Sequence, residues 1–129
     1  ACDILMQQKG HDHVAMITDC MRAGGSPDGD YLLGEFSVVV ANGTARLKES
    51  GNLAGSILKL KDGLRNVVAW GIATPAEAIH MATYVPAVSV GIDDICGQIK
   101  AGHAADFIVL DKDLTLVATY LNGQKAFDA

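Results

Sequence analysis

No apolar run approaches the roughly 20 residues needed to cross a bilayer as a helix, so nothing in the chain reads as a membrane span. There is no Cys-x-x-Cys pair. The three cysteines, Cys2, Cys20 and Cys96, are odd in number and widely spaced, which argues against a zinc knuckle or a disulfide framework and fits a reducing cytoplasm. Basic clusters are missing too. Ten Lys and Arg stand against 15 Asp and Glu, for a formal net charge of −5, so the chain has no electrostatic footprint for nucleic acid. GxGxxG, P-loop and HExxH motifs are absent, as are internal repeats. Charge itself is scarce: 19% of the 129 residues are charged and 50% are hydrophobic. That balance is apolar for so short a chain, because a small domain has proportionally more surface to cover with polar groups. Some faces are therefore expected to pack against protein outside this sequence. The opening points the same way. Residues 1–9 lack an initiator Met and read as the back half of an amphipathic helix closed by Gly10, the pattern of a C-terminal fragment.

What is present centres on Val14-Ala15-Met16-Ile17-Thr18-Asp19, an apolar run that ends in a carboxylate and meets a turn-rich loop over residues 20–30. A short run so bounded reads as a strand buried on both faces, the habit of parallel sheets covered by helices. In barrels and open α/β sheets, the loops leaving the C-terminal strand ends build the active site, so Asp19 is a candidate for chemistry. An Asp there can equally cap the loop through its own backbone, and position alone leaves both readings open. Residues 23–30 have the glycine hinges of a lid and equally the composition of a plain connection.

Further along, Asn42-Gly43 separates two β-branched runs, 36–41 and 44–48, and predicts a hairpin inserted after the buried strand. A loop at residues 50–55 leads into a helix with Ser56 as N-cap and Ile57, Leu60, Leu64, Val67 and Val68 at helical spacing. Thr74-Pro75-Ala76-Glu77 opens another helix with a capping box, expected to bury Ala78, Ile79 and Ala82. A short helical segment follows near residues 86–90. Residues 105–111 and 114–121 read as strands, and Asn122-Gly123 turns into a third at 124–127. Strands without intervening helices look like a separate antiparallel sheet.

Complete sites do not emerge from spacing. His11-Asp12-His13 has a ligand spacing, but it enters the buried strand at its N-terminal end, away from Asp19, and reads as a polar strand entrance. His80 on a helix and His103 in a turn have no acid, base or nucleophile beside them in sequence and read as structural. Cys20 follows Asp19 without an evident His partner. Asp28 and Asp30 admit a cation, but the Gly-rich turn accounts for both.

Longer patterns say more. Residues 18–34, running Thr18-Asp19-Cys20-Met21 through Pro27-Asp28-Gly29 to Gly34, resemble the segment TDAM-x-AAG-x-PDG-x-Y-x-LG of N-acetylglucosamine-6-phosphate deacetylases, in the amidohydrolase superfamily. Leu53-Ala54-Gly55-Ser56 resembles that family's LAGS loop, and Arg65-Asn66-Val67-Val68 the helix after it. Ala78-Ile79-His80-Met81-Ala82-Thr83 with Pro86-Ala87, and the run from Gly97 to Asp111, resemble signatures shared across the superfamily.

The resemblance implies an α/β fold, the C-terminal part of a (β/α)8 TIM barrel with its last strand and closing helices, plus strands of a small β-sandwich. Residues 1–98 would belong to the barrel, with a β-hairpin insertion near 31–48, and residues 99–129 to the sandwich. It implies a cytoplasmic enzyme, a homodimer at full length, that removes acetate from N-acetylglucosamine 6-phosphate to give glucosamine 6-phosphate. Such an enzyme uses a divalent metal, Zn, Fe, Co or similar, which lowers the pKa of a bound water and polarises the amide carbonyl. Its ligands lie upstream, so this chain is expected to hold no metal and to be inactive alone. Asp19 matches the family's general base, and Leu53, Ala54 and Gly55 match a loop that contacts the sugar. Other amidohydrolases, such as deaminases or cyclic amidases, and a non-catalytic interaction module are the competing readings. Cys20 stands where the family usually has Ala, Ser26 where Met is common and His103 where Lys or Arg is usual.

Overall fold

The computed structural model describes residues 2–128. Ala1, expected in the opening helix, and Ala129, expected with the last strands, lie outside them. The elements run α1 (Cys2–Lys9), a 3-10 turn (His11–His13), β1 (Gly29–Leu33), β2 (Phe36–Ala41), β3 (Thr44–Leu47), α2 (Leu60–Ala69), α3 (Pro75–Ala82), α4 (Tyr84–Val90), β4 (Phe107–Leu110), β5 (Leu116–Leu121) and β6 (Gln124–Asp128). They form two compact units. One is Ile17–Gly63; the other joins the residues up to Met16 with those from Leu64 onward.

In the Ile17–Gly63 unit, β1, β2 and β3 form an antiparallel meander. Asn42 and Gly43 take φ 51° and 74°, the left-handed pair that a two-residue hairpin turn requires. The Asp28 carboxylate accepts from the Asn42 N–H at 3.0 Å, and Lys48 pairs with Asp30 at 2.6 Å, so the two acids serve the meander. Alternation along β2 turns Val38 and Val40 inward, where they are buried with Met21, Ala23, Ala45 and Ala54. Each Val contributes roughly 1.5–3 kcal/mol by leaving water. The expected hairpin is thus present with a third strand, β1, added in front. Gly29 and Asp30 carry turn chemistry and read as loop, whereas Tyr31 and Leu33, inside the expected insertion near 31–48, pack against the same core.

In the other unit, Leu64, Ala73, Ala78 and Met81 are buried, with Met6, Val14, Met16, Val67 and Val68 packed against them. Helix α1 ends as expected, with Gly10 at φ 72° and its N–H on the Met6 carbonyl at 2.8 Å. Helix α3 has the full capping box: the Thr74 hydroxyl accepts from Glu77 N–H, and the Glu77 carboxylate accepts from Thr74 N–H at 2.7 Å. These bonds from the Thr74 backbone and hydroxyl, helped by nearby His11, hold the Glu77 carboxyl below the usual glutamate range. A second antiparallel meander, β4-β5-β6, closes the chain. Its Asn122-Gly123 turn is tied to Asp106 Oδ1 at 2.7 Å, as Asn42 is to Asp28.

Four expectations are corrected. Residues 14–19 join no ladder among the described residues; Met16 N–H reaches the Met81 carbonyl at 2.8 Å, and Ile17 is 72% exposed. A parallel strand buried on both faces needs strand neighbours, and the described residues supply none. Ser56 does not cap α2, which begins at Leu60; it pairs with Cys20 in a parallel bridge instead, and Ile57 packs in the β-sheet core. On α3 the buried pair is Ala78 and Met81, while Ile79 is exposed and Ala82 half-buried. Leu114 and Thr115 belong to a turn: the Asp111 carboxylate accepts from the Asp113 and Thr115 N–H groups at 2.9 and 2.8 Å, and Leu114 has φ 59°.

Candidate functional site

Asp19 and the Leu53-Ala54-Gly55 loop come together inside the Ile17–Gly63 unit. Cys20 and Ser56 form a parallel bridge. Asp19 and Gly55 are the residues directly before the two bridge partners. The Met21 N–H extends the contact to the Ser56 carbonyl at 2.8 Å. Asp19 is exposed and holds φ 47°, a left-handed conformation that a non-glycine residue adopts at a cost of roughly 1–2 kcal/mol. The Thr18 hydroxyl, accepting from Cys20 N–H at 3.3 Å, spans that bend. Asp19 is thus an exposed residue in a left-handed bend, a conformation that Asp tolerates better than most non-glycine residues.

The loop is held from its other side by β3. Ala54 N–H donates to the Ala45 carbonyl at 3.0 Å, Leu47 N–H to Asn52 at 2.8 Å, and Arg46 Nη1 to the Gly51 carbonyl at 2.8 Å. Ala54 is therefore buried, whereas Leu53 is 68% exposed. A cavity of about 370 Å³ is lined by Leu53, Gly55, Ser56 and Ile57 together with Thr44 and Asp62. Asp62 was missed by the sequence reading. Its only signal was an acid in the first turn of a helix, which helix-dipole chemistry accounts for by itself.

A second polar cluster lies in the other unit. His80 Nε2 sits 3.1 Å from Asp12 Oδ1, His11 Nε2 sits 3.3 Å from the same oxygen, and His11 Nδ1 is 3.3 Å from Glu77 Oε1. His80 thus does have an acid beside it, brought there by packing of the 3-10 turn on α3. These contacts tie turn to helix. Among the described residues no group of three or more His, Cys, Asp or Glu side chains is arranged to hold a metal, His11 and His13 included. No helix among them is long and apolar enough to cross a membrane.

The sequence model of the Amidohydrolase family matches residues 8–128. The chain belongs to the amidohydrolase family. It is 39% identical over 90% of its length to N-acetylglucosamine-6-phosphate deacetylase of Vibrio furnissii, of which it covers 29%. It is 41% identical over 89% of its length to a putative N-acetylgalactosamine-6-phosphate deacetylase of Escherichia coli (strain K12), of which it covers 68%. Among solved structures, N-acetylglucosamine-6-phosphate deacetylase from Thermotoga maritima superposes with a TM-score of 0.88 at 32% identity, covering 99% of this chain and 35% of that one. This amidohydrolase segment is a mixed α/β structure, and it spans about 29% of the length of the Vibrio furnissii relative.

Proposed function

We propose that the chain is the C-terminal segment of a hydrolase that removes acetate from N-acetylglucosamine 6-phosphate, acting as the last strand and closing helices of a (β/α)8 barrel plus part of a small sandwich sheet. Residues 1–98 are assigned to the barrel and 99–129 to the sandwich. The observation that carries the reading is the convergence of Asp19 and the Leu53-Ala54-Gly55 loop at one parallel bridge, in a chain whose relatives are named deacetylases of amino-sugar phosphates.

In this reading water attacks the acetamide carbonyl, and the Asp19 carboxylate takes the water's proton. The C–N bond then breaks. Asp19 returns the proton to the departing amine, so acetate and the amino sugar leave and the carboxylate is restored. Leu53, Ala54 and Gly55 form the loop that contacts the sugar, Gly55 making its left-handed turn. Among the described residues no group of side chains fits a divalent metal, and the proposal places the metal's ligands in the rest of the protein. The three cysteines are free, which supports a cytoplasmic setting. A homodimer is the proposed assembly.

Asp19→Asn in the full-length protein is expected to lower kcat by roughly 10²- to 10⁴-fold with little change in KM. Near-normal turnover would remove Asp19 from the mechanism. The 41% identity to the galactosamine-type relative favours a second reading, in which the substrate is the C4 epimer, N-acetylgalactosamine 6-phosphate. Comparing kcat/KM on the two epimers decides between them.

A further inference from the structure

We propose that Met21 is a positioning residue that seats the Leu53-Ala54-Gly55 loop against the segment carrying Asp19. The inference rests on the roles assigned to Asp19 and the loop above. Two separate fastenings meet at Met21. Its backbone N–H donates to the Ser56 carbonyl at 2.8 Å, directly after the Cys20–Ser56 parallel bridge. Its side chain is 9% exposed and belongs to the meander core. There it lies over Gly55: a Cβ placed on Gly55 would stand 3.1 Å from Met21 Sδ and 3.6 Å from Cγ, with Leu33 Cδ2 at 3.3 Å.

Gly55 holds φ 76°, so the loop turns where only glycine is at ease, and the thioether fills the space that a side chain would take. Methionine suits that place because it is unbranched and polarisable and lies flat on backbone. The loop's other tethers, Ala54 N–H on Ala45, Leu47 N–H on Asn52 and Arg46 on Gly51, bind it to β3 and not to the segment carrying Asp19. Met21 sets the loop's height relative to that segment. Truncating its side chain leaves the main-chain bond to Ser56 in place, so Asp19 stays while the loop loses its seat. Sugar binding should then suffer more than proton transfer, a KM effect more than a kcat effect.

The test uses the full-length protein containing this segment, with Met21→Ala, Met21→Leu, Gly55→Ala and the double variant Met21→Ala/Gly55→Ala, and thermal midpoints recorded for each. Met21→Ala is expected to raise KM about tenfold with kcat within about threefold. Met21→Leu, close in volume, should restore KM. Gly55→Ala should also raise KM, and the double variant should be less impaired than the product of the single effects, because the new methyl enters the space that Met21 leaves. Should Met21→Ala fail to fold, the cycle is run with Met21→Val against Gly55→Ala, the smaller valine being expected to soften the Gly55→Ala effect. Multiplicative effects on KM, a kcat loss as large as the KM rise, or no rescue by leucine would overturn the role of Met21. Absence of turnover of both epimers by the unsubstituted protein would overturn the functional reading itself, and the Met21 role with it; turnover with multiplicative effects would overturn Met21 alone.

Discussion

At the residue scale the candidate site depends on packing one or two residues away from the candidate base. Cys20 projects its thiol toward Gly24: a Cβ on Gly24 would stand 2.0 Å from Cys20 Sγ and 3.3 Å from the Met21 carbonyl. The motif that this stretch resembles has Ala at both positions. Cysteine at 20 and glycine at 24 therefore read as a compensating pair, one side chain having grown as the other vanished. Gly24→Ala is expected to destabilise the protein by about 1–3 kcal/mol through overpacking, and Cys20→Ala to cost much less. The double variant should recover most of the loss in denaturant titrations. Equal loss in the single and double variants would show that the thiol simply rotates aside. Asp19 itself was singled out by its motif, although the strand expected before it joins no ladder among the described residues. Its left-handed backbone has no signature in the motif, and the Met21 seat joins residues more than 30 positions apart.

At the element scale, local chemistry was most readable where a short pattern is satisfied by its own neighbours. The Thr74–Glu77 capping box and both Asn-Gly turns form as expected, because each needs only a few consecutive residues. Elements needing distant partners were misread. Ser56 resembles an N-cap in isolation, yet Cys20 claims it for a bridge. The capping box also has a pH signature. Glu77 has a lowered folded-state pKa, so its contribution is fully present above the ordinary glutamate value of about 4.3 and fades as pH falls through the lower folded value. Thr74→Ala removes the hydroxyl that helps hold the carboxylate charged, so the Glu77 pKa measured by NMR should rise toward the ordinary value. An unchanged pKa would assign the shift to the Thr74 backbone N–H alone.

At the scale of the whole molecule, apolar surface stands out. Ile99 is 94% exposed, Trp70 63%, and Ile108, Leu121 and Phe127 of the second sheet about half. Surface of that kind normally meets other protein. The 129-residue chain produced alone is therefore expected to bind an apolar fluorescent dye and to form heterogeneous aggregates in size-exclusion chromatography, while a longer protein containing it should bind no dye and elute as a single species, the proposed homodimer. A monodisperse chain with no dye binding would mean these faces are tolerated bare. The excess was already visible in composition, and the hairpin of β2 and β3, the second meander, the α3 cap and the candidate base were visible in the order of residues, because turn chemistry, alternation and motif order are written in consecutive residues. Which residues of α3 face the core, the bridge that draws Ser56 from its helix, and the meeting of Asp19 with Gly55 depend on main-chain partners far away in sequence. Only the tertiary structure decided them, because a hydrogen bond or packing contact belongs to two segments at once, and neither segment alone encodes which partner it will find.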